Sequence, residues 1–476
     1  MGAIQIGWAE ADITPEGPVE LYGQYYPRVS QGIHSPLSAT VMAVEGDNGE
    51  RLVMVSADIA NFKTEYLEEL RRRVSAKLPG LVGTAVVMNA THTHNAPAVT
   101  PGRQWWESSS EVQSTKSYGE STLESITGAI VRAWESKKKA GIANTTDYAV
   151  VGHCRRILYS DGSARMYGDT NRRDFVGVEG SEDSTVELLF TFCQTGEPTG
   201  AIVNVACPSQ VMEATYRISS DYMGRLREKL KGTFGSDFYT LCQISAAGCQ
   251  SPRDLARTRD AVFWREPGVE IIAHRVSEAV HRGLNRCKDS VEFDVEMEHL
   301  CLDIDLPVRR VSYEEHRSAA ATMNSLEMQK STKLAFADFC NGVKKNEQIT
   351  GRPGPYDSKQ HHFVLIRNSE AVVDRYAEQQ LNQVFSLELH TVRLGKIGIV
   401  TNPFELFLEY GLRIKAQSPA DQTFIVQLCC GTGGYLPTRA AEKHGGYGGL
   451  VINGSVGSEG GEKLVDESVA ELRGLF

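Results

Sequence analysis

The sequence predicts an α/β fold, and three observations carry that prediction. Short apolar, β-branched runs recur at residues 84–88, 186–192, 200–206, 238–244 and 397–401, each the length of a buried strand. Stretches with apolar residues at helical spacing lie between them, at 63–78, 119–138 and 267–286. Several strands also end in loops rich in chemically useful side chains: His92 and His94, Cys207, Ser251, Glu405. Open α/β sheets place their chemistry at such strand ends.

In chain order, residues 9–15 read as a strand leaving through Pro15. Strands at 39–44 and 52–57 are joined by the turn Gly46-Asp47-Asn48-Gly49. A helix over 63–78 presents Tyr66, Leu67, Leu70, Val74 and Leu78 on one face. The strand at 84–88 then leads to Thr91-His92-Thr93-His94-Asn95-Ala96-Pro97. Histidines at i and i+2 after a strand share one side of the chain, and neutral imidazole is a common metal ligand. The alternative is one histidine capping the strand and the other solvated. Trp105-Trp106, in a polar loop, either contacts a sugar or apolar ligand or anchors the loop. The helix over 119–138 ends in Lys137-Lys138-Lys139, read as a solvated helix end. A strand at 148–151 leads to His153-Cys154-Arg155-Arg156 and a strand pair around Asp161-Gly162. Arg172-Arg173 either bind an anion or make surface salt bridges.

Strands at 186–192 and 200–206 precede Cys207-Pro208, and Asp221 is placed to cap a helix starting near Tyr222. The strand at 238–244 opens into Ser245-Ala246-Ala247-Gly248-Cys249-Gln250-Ser251-Pro252. This loop either exposes Ser251 as a nucleophile or is only a tight turn. A charged helical stretch at 312–346 and a helix near 368–384 flank a Gly/Pro turn at 351–355. Strands follow at 385–394 and 397–401, then a helix over 404–415 with Glu405 in its first turn, a strand at 424–428 and a terminal helix at 460–473. The glycine clusters at 431–434 and 445–449 lack the Gly-Lys-[Ser/Thr] ending of a phosphate loop.

A chain of 476 residues with 41% hydrophobic and 23% charged residues builds a sizeable core and is not disordered. A net charge of −10 without a basic block disfavours nucleic acid and anionic membranes as partners. No run is apolar enough to span a bilayer, and the first residues carry no signal-peptide pattern, so a cytoplasmic location is expected. Ten cysteines without CxxC spacing read as reduced, buried thiols.

Taken together, these segments resemble the neutral (alkaline, non-lysosomal) ceramidase family. The likeness runs in order through residues 5–473. It includes Ala11-Asp12-Ile13-Thr14 and Thr91 to Pro97, similar to the family's Thr-His-Thr-His-Ser-Gly-Pro. Ile218-Ser219-Ser220-Asp221 is similar to Ile-Ser-x-Asp, and Gly248-Cys249-Gln250-Ser251-Pro252 to the nucleophile loop Gly-Asp-Val-Ser-Pro. Asn402-Pro403-Phe404-Glu405 is similar to the Pro-Gly-Glu segment, and Gly434-Tyr435-Leu436-Pro437-Thr438 to the Tyr-containing loop.

The resemblance implies a mixed-sheet catalytic module over residues 1–476, with a helical insertion at 310–385 and no immunoglobulin-like C-terminal domain. It implies one Zn2+ per chain, with His92, Glu405 and Tyr435 as ligands and Tyr435 also acting on the substrate. His94 and Arg155 would face the substrate and Ser251 would be the nucleophile; apart from the resemblance, Trp105, Trp106 and Tyr447 are the substrate-binding candidates. The family's second zinc histidine falls in an Ala-x-His-Pro segment, where this chain has Val205-Ala206-Cys207-Pro208. Thiolates bind zinc at about 2.3 Å, so Cys207 either completes the metal set or marks a lost site. Cys249 likewise stands where the family has aspartate.

The expected function is zinc-dependent hydrolysis of an amide in a polar small molecule, with ceramide itself disfavoured. Two alternatives stand beside it: a metal-free relative that binds a small molecule without catalysis, and a lyase or hydrolase acting on a carbohydrate.

Overall fold

The computed structural model describes residues 2–102, 106, 111–256, 263, 265–350 and 361–476. The chain opens with an antiparallel meander, β1 (Ile4–Asp12), β2 (Ser38–Gly46) and β3 (Arg51–Ala57). Helix α1 (Thr64–Lys77) buries Tyr66, Leu67, Leu70 and Val74, the face marked by the sequence, and returns the chain to β4 (Val86–Ala90), parallel to β3. Helix α2 (Thr115–Glu135) starts at Ser114, whose hydroxyl accepts the Ser117 N–H.

The expected solvated lysine end is replaced by β5 (Lys138–Tyr148), which pairs with β1 and, over nine residues, with the later strand β10. Lys137 is tied to Glu45 at 2.7 Å. Long-range pairing overrides the local charge here, and the strand ends at Tyr148 rather than beginning there.

Four short strands follow: β6 (His153–Cys154), β7 (Arg156–Tyr159), β8 (Ala164–Met166) and β9 (Phe175–Val178). Then come β10 (Thr185–Cys193), β11 (Pro198–Val205), α3 (Asp221–Phe234), β12 (Tyr239–Ile244), β13 (Gln250–Ser251) and α4 (Glu266–Cys287). Asp221 does not cap α3 from outside but begins it. Its carboxylate accepts the Met212 N–H at 2.8 Å, pinning the loop after Cys207.

The main sheet has the order β12-β11-β10-β5-β1-β2-β3-β4. Its two edges, β3–β4 and β11–β12, are parallel pairs closed by α1 and α3; its middle is antiparallel.

A smaller sheet is built from β14 (Met297–Pro307), β15 (Val384–Leu394), β16 (Ile397–Thr401) and, further on, β18 (Gln422–Val426). Helices α5 (Tyr313–Gln329), α6 (Thr332–Thr350) and α7 (His362–Glu378) lie between β14 and β15. The expected turn at 351–355 lies outside the described residues. The helix expected over 404–415 divides: β17 (Phe404–Leu406) precedes α8 (Leu408–Gln417). β17 is drawn into strand form by pairing with β19 (Gly434–Leu436), so Glu405 stands opposite Tyr435 rather than on a helix. Helices α9 (Arg439–His444) and α10 (Ser458–Leu475) close the chain.

The two sheets share a core in which Ile399 and Phe424 pack in one cluster with Met42, Val55 and Leu241. No helix among the described residues is long and apolar enough to cross a membrane. The topology has a functional consequence. His92 follows β4, Cys207 β11, Ser251 β12, Glu405 β16 and Tyr435 β18, and each of these strands belongs to a parallel pair. All five residues therefore lie beyond carboxyl ends of parallel strands.

Candidate active site

His92 occupies left-handed backbone, φ 60°, a conformation that costs a non-glycine residue about 1–2 kcal/mol. Two backbone bonds hold it there, from Thr91 N–H to the Ala57 carbonyl and from His92 N–H to the Ile59 carbonyl, both 3.0 Å. The His92 ring then places Nδ1 2.7 Å from the Ala60 carbonyl. A carbonyl only accepts, so Nδ1 carries hydrogen. Nε2 is thereby turned to Glu405 Oε2 at 3.5 Å.

The state of His94 follows from a chain of partners. Arg155 only donates, so its N–H groups fix the Gln210 carbonyl oxygen toward it, at 3.3 Å. That leaves the Gln210 NH2 facing His94 Nε2 at 2.8 Å, so Nε2 accepts. Nδ1, 3.3 Å from the Glu213 carboxylate, carries the proton. His94 Nε2 also lies 3.4 Å from His92 Nε2. Burial holds the His94 pKa below the ordinary histidine value, against the pull of Glu213. A lowered value favours the neutral ring in the folded state, so this stability is lost as pH falls. An NMR titration of 13C-labelled histidine should therefore give His94 a midpoint below about 6.5; a midpoint at or above that value would refute the assignment.

Glu405, Tyr435 and Arg155 form the other wall. Burial pushes the Glu405 carboxyl up, but His92, Arg155 and a hydrogen bond from the Tyr435 hydroxyl outweigh it and leave it below the usual range. Arg155 is buried. It donates to Tyr435 Oη at 3.1 Å and to the Gly248 carbonyl at 3.0 Å, and lies 3.8 Å from Glu405. Burial keeps the Tyr435 phenol protonated. Tyr447 stands edge-on to Tyr435, ring centroids 5.4 Å apart, and Tyr25 edge-on to Tyr447.

Ser251 Oγ accepts from the Tyr167 hydroxyl at 3.3 Å and from the Arg253 N–H at 3.2 Å. Tyr167, also left-handed at φ 54°, links it to Arg155. Among the hydrogen bonds of the described residues, no imidazole or carboxylate reaches Oγ. The Cys249 sulfur lies 3.5 Å from the Leu408 N–H and 3.2 Å from the Gln250 side-chain nitrogen, and shares a hydrogen bond with the Cys154 thiol.

The structure places Cys207 in the core. Its thiol lies within an apolar cluster, 3.5 Å from the Val151 carbonyl and 3.6 Å from that of Pro208, and burial keeps it protonated. The donor atoms of His92, Cys207 and Glu405 do not all come within 4.8 Å of one another. A thiol is shorter and less polar than the imidazole it stands for, so the core claims it. Trp106 donates to Glu20 at 3.0 Å and stacks on Phe336 of α6, centroids 5.9 Å apart, as a loop anchor does. Trp105 lies outside the described residues. Arg172 pairs with Asp174, the ordinary salt-bridge alternative. Sequence reasoning missed Gln210, Glu213 and Tyr167. It also missed Arg28, which is fully buried and donates to the backbone carbonyls of His94, Tyr22, Glu213 and Thr215.

Comparison with known proteins follows from this geometry. The structure of neutral ceramidase from Pseudomonas aeruginosa superposes with a TM-score of 0.71 at 18% identity, covering 99% of this chain and 75% of that one. A ceramidase complexed with C2 gives 0.65 at 16% identity, covering 100% and 76%. The fold is like that of neutral ceramidase. Its sequence is 35% identical to a neutral ceramidase of Drosophila pseudoobscura pseudoobscura over 97 residues, and 33% identical to that of Drosophila melanogaster over the same length. Each stretch is 20% of this chain and 14% of the relative. No family model matches. The mixed α/β architecture expected from the ceramidase resemblance is the one found.

Proposed function

We propose that this chain is a zinc-assisted hydrolase that cleaves an amide bond in a polar small molecule. One observation carries the reading. The His92 ring, fixed by its Nδ1 bond to the Ala60 carbonyl, turns Nε2 toward the Glu405 carboxylate at 3.5 Å, with His94 Nε2 3.4 Å from the same nitrogen, an arrangement a cation between His92 and Glu405 would complete. The residues fit zinc through His92, Glu405 and Tyr435: 3.5 Å between His92 Nε2 and Glu405 Oε2 suits two ligands at about 2.0–2.1 Å from one tetrahedral ion. Cys207 does not join them unless its thiol turns and ionises. Bound zinc supplies Lewis acidity to a scissile carbonyl and lowers the pKa of a water.

The rest is the chain's own chemistry. Arg155, which also holds the Tyr435 hydroxyl in place, offers N–H donors to a developing oxyanion. Neutral His94, with Glu213 behind it, takes a proton at Nε2 once Gln210 gives way. Tyr167 orients Ser251. A polar substrate is favoured because the aromatics beside the site, Tyr25 and Tyr447, carry hydroxyls. Arg155 favours a second reading, a metal-free binding protein, since its guanidinium already brings positive charge to Glu405.

Elemental analysis of the purified chain decides between them, beside a screen of N-acyl amides of sugars and amino acids. His92→Ala is expected to lose about one equivalent of zinc and all hydrolysis, and Cys207→Ala to keep both. Unchanged zinc in His92→Ala would overturn the metal assignment.

A further inference from the structure

A second constellation lies on the smaller sheet. Cys301 of β14 and His390 of β15 are direct partners in the antiparallel register, and strand alternation puts His299 and Glu388 on the same face. His390 Nε2 is 3.7 Å from the Cys301 sulfur and 3.3 Å from Glu388 Oε2. The donor atoms of Cys301, Glu388 and His390 all lie within 4.8 Å of one another, the one such group of three His, Cys, Asp or Glu side chains among the described residues. Cys430, left-handed at φ 59°, hydrogen-bonds to the same ring from the loop after β18.

The hydrogen-bond pattern behind His390 sets its tautomer. His299 Nδ1 faces the Arg51 carbonyl at 3.4 Å and so carries hydrogen. Its Nε2 therefore accepts, and the atom 3.0 Å away, His390 Nδ1, donates. In the neutral ring this leaves the His390 Nε2 lone pair aimed at sulfur and carboxylate. A metal-bound histidine is held in this way, by a bond from its far N–H. Charge points the same way. Arg71 of α1 grips Glu388 with two contacts of 2.8 Å, a pair that is neutral together. A divalent cation with the Cys301 thiolate and the neighbouring Cys430 thiolate is neutral too, so the filled site buries no net charge.

We propose that His390, Cys301 and Glu388 bind a zinc ion separate from the His92–Glu405 site. The mixed sulfur, nitrogen and oxygen donor set suits zinc, and binding displaces the protons that these donor atoms carry in the empty site. The role is structural. The ion joins β14 to β15 beside Cys430, whose N–H donates to the Met88 carbonyl of β4 at 2.9 Å.

Cobalt titration of the metal-depleted full chain tests this. A thiolate-to-cobalt charge-transfer band in the near ultraviolet is expected, absent in Cys301→Ser and retained in Cys207→Ala and Glu405→Gln. No thiolate band, or a band lost in Cys207→Ala and kept in Cys301→Ser, would overturn the site. The Glu405→Gln arm separates this result from the active-site reading, which falls or stands on hydrolysis and on zinc at His92. A second measurement does not depend on how Cys301→Ser folds. In the Glu405→Gln chain, zinc well above its Kd should slow alkylation of half-exposed Cys301 by about tenfold or more; no protection would also overturn the site.

Discussion

Arg155→Met is expected to lower kcat about 10²–10³-fold, the loss that follows removal of one preorganised donor from an oxyanion site. The guanidinium reaches Tyr435, Gly248, Gln210 and Tyr167 and balances Glu405. Its loss frees the Gln210 amide to turn, and with it the state of His94. It also leaves a buried carboxylate short of its cation, which costs about 3–5 kcal/mol when a buried pair is broken. Turnover on the amide found by screening, with urea unfolding beside it, checks both parts. Arg155→Lys keeps the charge without the planar fork, so it should recover stability more than turnover. Turnover within about threefold of the parent in Arg155→Met would remove Arg155 from the reaction.

Arg28→Met is expected to destabilise the fold by about 4 kcal/mol. The side chain is fully buried, and its four carbonyl partners lie at 2.5 to 2.9 Å. Each orphaned buried acceptor costs about 1 kcal/mol or more. Because two of those carbonyls belong to His94 and Glu213, the variant should also raise the His94 pKa as the pair loosens and water enters. Urea denaturation measures the first effect and the histidine titration the second. A midpoint and pKa matching the parent would show that water replaces the clamp without loss.

The sequence made the strand-and-helix alternation legible because each buried strand is short, apolar and β-branched, and the His92/His94 pair because it is local. Strand β5 was hidden by Lys138-Lys139 and a polar middle; only its pairing with β10 makes it a strand. Glu405 was placed on a helix because the strand form of 404–406 comes from β19, about thirty residues on. Gln210, Glu213, Tyr167 and Arg28 had no local signal at all, since their partners are distant in sequence. His299-x-Cys301 and Glu388-x-His390 did have one: two period-two pairs of ligand types, each on a strand. They become one cluster only when the two strands are laid side by side in register.

The reach of the contacts sets when the site can exist. Tyr435 is 280 residues downstream of the guanidinium it bonds. At 5–20 residues per second of synthesis, on the order of 15–60 s separates the emergence of the two. Every strand of the main sheet, the last ending at Ile244, emerges before the wall made by Glu405 and Tyr435. A nascent chain with its main sheet complete therefore still lacks this wall until Tyr435 has emerged.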